Sequence, residues 1–406
     1  MKVTKPRFHY GWIIVLICFF CCFSYGLFYS FGVFFKHLQQ EFGWSRALTS
    51  TVQSLHMVFF PLSALIIGWL TDKYGPRLPL IGGATLIGSG IVLLSVVQSP
   101  VQFFTFYALA SLGSGIVWSL PMGTIQHWFV KRRGLALGLS ISGIGFSYAL
   151  SPLSSLLISN FGWRTAYQIL GSVIWLILIF CAWAIAGSPR QKGLMPYGAA
   201  AADNISAESE LEGWEAGVAV KTMSFWGICG MWVCHVFAVM IVAVHLVNYA
   251  TDIGMSEVHG ATSWFMVGCF SIPGRILGAY IGEKIGYRKG FSLFGLINAM
   301  AIIWLLGAKS LWMLMLFAPF YGFCYGGQTP IIAALIGNYF GLKPLSTLLG
   351  LQMFTGMIGG TLGPWLAGFL FDRFNNYNMA FITASGFWAL SALLSNFLTK
   401  PQKPVK

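Results

Sequence analysis

The sequence predicts an all-α membrane protein: twelve transmembrane helices in two related six-helix bundles, both termini on the cytoplasmic side. Three observations carry that reading. The composition is too apolar for water, the apolar segments are long enough to cross a bilayer, and one motif recurs at half the chain length.

Charged residues make up 9% of the 406 and hydrophobic residues 57%, whereas soluble domains carry about 25% charged residues. Such a chain cannot cover a water-facing surface with polar groups, so lipid is its solvent. The eight cysteines all fall in apolar stretches. Cys18 and Cys21 form a CxxC with no His or further Cys at zinc spacing, and buried thiols of this kind act as small hydrophobes. No metal, cofactor or catalytic residue is expected. The run from Trp12 is too long for a signal-peptide core and reads as the first span.

Apolar segments of about 20 residues mark membrane spans. They fall near 10–36, 47–70, 78–98, 101–127, 134–158, 165–186, 222–250, 259–282, 290–307, 311–337, 345–371 and 378–399. The polar stretch 187–221 holds Asp203, Glu208, Glu210, Glu212 and Glu215. It divides the chain into an amino-terminal bundle (1–186), a cytoplasmic linker (187–221) and a carboxy-terminal bundle (222–406). With the amino terminus inside, eighteen of the 24 basic residues face the cytoplasm. Only Lys36, Arg46, Arg164, Lys309 and Arg373 fall outside, and Arg275 lies within a span. That bias sets the orientation in the cell membrane. It also explains the net charge of +13 without nucleic acid as a partner.

The repeat supports two halves. Gly68, Asp72, Lys73, Gly75 and Arg77 follow the second span; Gly278, Glu283, Lys284, Gly286 and Arg288 follow the eighth in the same order. Asp72, Arg77, Glu283, Arg288 and Arg132 are candidates for a charge relay that sets the conformational state. The series Gly274, Gly278, Gly282 and the group Gly356, Gly359, Gly360 read as close-packing seams, whether static or rocking.

Arg275 is the one permanent charge inside a span. It lies eight residues before Glu283, or about 12 Å along a helix, near mid-membrane. A charge there is costly and needs a polar cavity and a task. Snorkelling to the cytoplasmic edge is the competing reading, and the depth weighs against it. No acidic residue sits at that depth, so an anionic ligand is the natural counter-ion, gripped by a bidentate guanidinium. One positive charge favours a monoanion over a dianion. Tyr25, Tyr29, Trp118, Ser142, His245, Asn248, Ser271, Tyr325 and Gln328 are candidates to complete the site, each competing with plain helix packing. His245 and His235 are candidates for carrying a proton.

The loop pattern Gly-x-x-x-Asp-x-x-Gly-x-Arg resembles the signature of the major facilitator superfamily. Within it, three stretches resemble the monocarboxylate transporter family and the oxalate:formate exchangers. They are Phe23 to Lys36 behind Tyr10-Gly11-Trp12, Trp128 to Gly143 with Lys131-Arg132-Arg133, and Phe161-Gly162-Trp163-Arg164. The resemblance implies a prokaryotic carrier working by alternating access, functioning as a monomer. Its substrates would be small monocarboxylates, lactate- or pyruvate-like, moved with a proton. The alternative it implies is organic-anion exchange without a proton. The family's Asp before Gly-Trp is absent at His9-Tyr10-Gly11-Trp12. Its span-one Lys is Tyr29, and its Asp one turn before the span-eight Arg is Ser271. The exchangers' Lys in span eleven has no counterpart around Gln352 and Thr355.

Overall fold

In the computed structural model, which describes residues 9–198, 214–341 and 344–401, the backbone is helical apart from short connections and one bridge between Phe129 and Tyr197. The helix is the natural answer to lipid, because it satisfies its own amide and carbonyl groups. Among the described residues, ten helical stretches are long and apolar enough to cross a membrane.

The first stretch, Gly11–Phe42, is three helices rather than one: α1 (Gly11–Phe23), α2 (Gly26–Tyr29) and α3 (Phe31–Phe42). At the first break the Ser24 hydroxyl donates to the Cys21 carbonyl at 2.7 Å, a back-bond that bends helices. Gly43, at φ 67°, closes α3. Next come α4 (Arg46–Tyr74), α5 (Arg77–Leu93), α6 (Pro100–Gly113) and α7 (Ile116–Trp128). Ser99 caps α6 by accepting from the Gln102 amide, with Pro100 in the first turn.

The stretch Gly134–Ala184 combines the fifth and sixth expected spans. It contains α8 (Arg133–Ser147) and α9 (Leu150–Ala184), and α9 breaks at Gly162, where φ 78° and ψ 161° are not helical. A short turn, α10 (Ala216–Ala219), precedes α11 (Met223–Asp252), α12 (Glu257–Ile285) and α13 (Tyr287–Leu306). The last three helices are α14 (Leu311–Phe340), α15 (Leu345–Phe374) and α16 (Asn378–Phe397). The expected tenth span coincides with α14, whose Tyr, Gly, Gln and two proline residues dilute its apolar character and keep it out of the ten.

Contacts divide the chain into two compact units. One comprises Met1–Phe28, Phe59–Ser147 and Leu157–Ile205; the other comprises Tyr29–Val58, Tyr148–Leu156 and Ser206–Lys406. Tyr29–Val58 and Tyr148–Leu156 thus cluster with the carboxy-terminal helices instead of following the boundary expected at 187–221.

In the first unit the Trp128–Lys131 segment is bonded to Tyr197. Val130 and Lys131 donate to the Tyr197 carbonyl at 3.0 and 3.1 Å, and the Tyr197 amide returns a bond to Trp128 at 2.8 Å. Much of the acidic stretch, residues 199–213, lies outside the described residues.

In the second unit α12 and α14 touch backbone to backbone. A Cβ on Gly274 would come within 2.2 Å of the Phe323 carbonyl oxygen, and one on Gly278 within 2.4 Å of the Gly327 Cα. From the other side, a Cβ on Gly326 would meet the Ser271 carbonyl oxygen at 2.2 Å. Small residues allow this approach, which gains dispersion contact that lipid cannot supply. Gly278→Val should therefore cost about 1–3 kcal/mol by overpacking, read as a lower melting temperature of the purified protein. Gly138→Val is the control, since a Cβ there meets nothing within 4 Å.

Candidate functional site

Arg275 emerges from α12 between the two glycines that bring α14 close. It is partly buried, and its Nε is fully buried without a hydrogen-bond partner. Among the described residues it forms no ion pair. Tyr148 lies close enough to feel its charge.

Around Tyr148 the second unit assembles a chain of phenol groups. The Tyr148 hydroxyl donates to the Tyr325 hydroxyl at 3.1 Å, and the Tyr29 hydroxyl lies 3.4 Å from that same oxygen. Tyr29 and Tyr148 pack at 4.7 Å between ring centroids, and Trp264 closes on Tyr148 at 4.8 Å. The Trp264 indole N–H donates to the Tyr29 carbonyl at 3.1 Å, tying Tyr29 to α12. An orphan guanidinium nitrogen beside neutral, adjustable hydroxyls can receive an anion: the cation supplies the charge and the phenols supply further hydrogen bonds.

The second unit brings Arg275, Tyr29 and Tyr325 into this neighbourhood, and adds Tyr148, which the sequence reading missed. Its signal was weak, one phenol in an apolar span where α8 gives way to α9. Ser271, one turn before Arg275, spends its proton on the Gly268 carbonyl at 2.7 Å. His235 extends the cluster from Tyr325: the two rings stack at 6.0 Å. Its Nδ1 lies 3.1 Å from the Gln328 side-chain oxygen, and the Gln328 amide donates to the Phe291 carbonyl. Trp232 stacks on the imidazole at 4.6 Å. Tyr25, Trp118 and Ser142 belong to the first unit. There Tyr25 packs on Phe60 at 5.2 Å, and the Ser142 hydroxyl is satisfied by the Leu139 carbonyl.

Two expected site residues bond to partners outside the phenol cluster. Asn248 clamps helices, its amide donating to the carbonyls of Gly32 and Val244 at 3.2 and 3.0 Å. His245 is fully buried among Ser50, Tyr377 and Pro364, at the end of the bundle that also holds the ion pairs.

Those ion pairs form a clasp. Lys36 reaches Asp252 at 2.5 Å, and Arg46 grips the same carboxylate with both terminal nitrogens, at 2.7 and 3.1 Å. The Arg46 and Ala47 amides donate to the two Asp372 oxygens at 2.9 and 2.8 Å, so a carboxylate caps the positive end of α4. His37 lies 2.8 Å from Glu257, which also accepts from Ser155 at 2.8 Å. The Arg46 guanidinium rests on the Phe371 ring at 3.5 Å and donates to the Tyr377 hydroxyl. Burial pushes the Tyr377 phenol up from its ordinary value against the opposing pull of Arg46, which keeps its proton on. These contacts are why Tyr29–Val58 and Tyr148–Leu156 belong to the second unit.

The residues expected to form a charge relay lie around the other ends of α4 and α12 and at the start of α8. Asp72, Arg77, Glu283 and Arg132 are exposed, and among the described residues none makes an ion pair. Arg288 instead donates to the carbonyls of Ser395 and Asn396. What the two signature loops share is backbone: Gly75 and its repeat partner Gly286 turn at φ 79° and 93°, where side chains are disfavoured.

A sequence profile of the Major Facilitator Superfamily matches residues 15–289 and 228–406. The chain belongs to the Major Facilitator Superfamily. This is a family of transporters, not of enzymes. The chain is 26% identical to monocarboxylate transporter 13 of Rattus norvegicus over 95% of this chain and 88% of that protein. It is also 26% identical to the oxalate:formate antiporter of Oxalobacter formigenes, over 97% of this chain and 92% of that one. A bacterial homologue of the human lysosomal transporter Spinster, solved inward-facing and unoccupied, superposes with a TM-score of 0.79 at 14% identity. That comparison covers 99% of this chain and 100% of the other. A D-xylose–proton symporter gives 0.74 at 14% identity over 95% and 97%. These likenesses show the superfamily fold.

Within that fold the clasp is testable by itself. Asp252→Asn leaves Lys36 and Arg46 facing a neutral amide, a loss of about 1.5–3 kcal/mol for hydrogen bonds to a charged group. A lower melting temperature of the purified protein is the expected reading.

Proposed function

We propose that this protein is a secondary active transporter of small monocarboxylates of the lactate or pyruvate kind. It works by alternating access and is coupled to protons, with Arg275 receiving the substrate carboxylate. The observation that carries the reading is the buried Arg275 Nε with no partner. A guanidinium in an apolar span demands an anion, and among the described residues the protein pairs no carboxylate with it. A single cation matches a monoanion. Tyr29, Tyr148 and Tyr325 offer neutral hydroxyls to the rest of the ligand. The names of the relatives, monocarboxylate transporters and an oxalate:formate antiporter, support a small organic anion.

In this reading the chain is a monomer of the cell membrane with twelve spans in two six-helix halves, 1–186 and 222–406, joined by a cytoplasmic linker. The basic bias puts both termini and the signature loops inside, so the clasp lies at the outer ends of its helices. Asp72, Arg77, Glu283, Arg288 and Arg132 then act in the opposite access state, when the cytoplasmic end closes. Exchange of organic anions without a proton is the second reading. It is favoured by the antiporter among the relatives and by Ser271, which stands where the family's carboxylate would be.

The test is uptake of labelled lactate by vesicles, with and without an inward proton gradient and with and without internal lactate. Gradient-stimulated uptake is the expected result. Dependence on an internal anion alone selects exchange, and no carboxylate flux under any condition overturns both. Arg275→Ala should abolish uptake. Arg275→Lys should lose at least about tenfold, because an ammonium cannot grip a carboxylate bidentately.

A further inference from the structure

The clasp and His245 are joined by hydrogen bonds whose directions can be worked out. The Ser50 hydroxyl donates its one proton to the Arg46 carbonyl at 2.7 Å, so it can only accept from His245 Nε2 at 3.2 Å. The Pro364 carbonyl, 3.1 Å from the same nitrogen, can also only accept. Nε2 therefore carries the proton, and in the neutral ring Nδ1 is the acceptor. Its partner at 3.0 Å is the Tyr377 hydroxyl, which must donate. That hydroxyl in turn accepts from Arg46 Nη1, the nitrogen that also holds Asp252. The series runs Pro364 carbonyl, His245, Tyr377, Arg46, Asp252, and each proton has one assignment.

We propose that this series is a proton-operated release: protonation of His245 unlatches the clasp, with Tyr377 as the positioning residue that transmits it. A proton on Nδ1 removes the acceptor that Tyr377 needs. The phenol would then face two donors, His245 Nδ1–H and Arg46 Nη1–H, with its own proton unplaced in a buried site, a costly state. The imidazolium also brings a second positive charge towards Arg46. The charged groups around His245 are Arg46 at the start of α4, Asp252 at the end of its own α11, Lys36 of α3 paired to Asp252, and Asp372 of α15 against the α4 amides. Phe35 of α3 presents a ring at 5.4 Å. The clasped arrangement thus accommodates His245 neutral, and acid favours the open one. Among the described residues, His37 of α3 pairs with Glu257 of α12 and shares no hydrogen bond with this series.

This inference rests on the transport reading for its purpose, and its test needs no substrate. Ser54 is buried beneath the clasp, its hydroxyl on the Thr361 carbonyl at 2.6 Å. In Ser54→Cys protein, the rate of modification by a membrane-impermeant methanethiosulfonate is measured in vesicles of both orientations. Background labelling of the native thiols is subtracted, and rates are normalised to an exposed engineered cysteine. Going from about pH 7.5 to about pH 5.5, across the range where imidazole titrates, the normalised rate should rise several-fold from the clasp side. With His245→Gln or Tyr377→Phe added, the rate should be the same at both values. Asp252→Asn should label rapidly at both. A pH response that persists with His245→Gln and with Tyr377→Phe overturns the proposal. So does the absence of any response where Asp252→Asn labels, or slow labelling of Asp252→Asn itself. Failure of lactate transport in the previous experiment leaves each of these outcomes readable.

Discussion

Arg275 imposes the constraint from which much of the second unit follows. A guanidinium near the centre of an apolar helix has no water to solvate it. Among the described residues the chain sets no counter-charge against it. Gly274 and Gly278 on either side of Arg275 bring α12 against the backbone of α14, the helix that carries Tyr325. The same close contact therefore sets the helix of Tyr325, whose hydroxyl accepts from Tyr148, against the helix of the cation. Loss of one glycine would disturb both the packing and the site.

Polar chemistry in this unit is concentrated at two depths. One holds Arg275 and the phenols of Tyr29, Tyr148 and Tyr325, where the guanidinium keeps an unused donor. The other holds Lys36, His37 and Arg46 with Asp252, Glu257 and Asp372, where the charges are compensated. Uncompensated charge suits a place that must take up and release a ligand, whereas compensated charge suits a joint between helices. His245 belongs to the second group by its bonds, although its helix passes both. That gives the unit a titratable group wired to a joint, separate from the unpaired cation.

Much of this was legible in the chain itself. Composition, apolar run length and the recurring Gly68–Arg77 and Gly278–Arg288 motifs lead to a helical membrane protein with internal repeats, because lipid permits few other solutions. Arg275 stood out for the same reason: a charge in an apolar run is visible without coordinates. Positive φ at both Gly75 and Gly286 gives the repeated motif a backbone meaning that its spacing already hinted at.

What sequence could not settle was pairing, since ion pairs between residues more than 200 positions apart leave no local trace. Lys36 and Asp252 sit in different segments, and each alone reads as a solvated helix end. Tyr148 and Tyr377 read as packing phenols until their hydroxyl partners are known. Asn248 and His245 looked like site residues by type, and only the structure gives the partners their side chains bond across helices. The sequence by itself determined the solvent, the helices and the lone cation, because those depend on the chemistry of each residue and its near neighbours. Only the tertiary structure decided which charges neutralise one another and which stays unpaired among the described residues, because that depends on distances across the bundle.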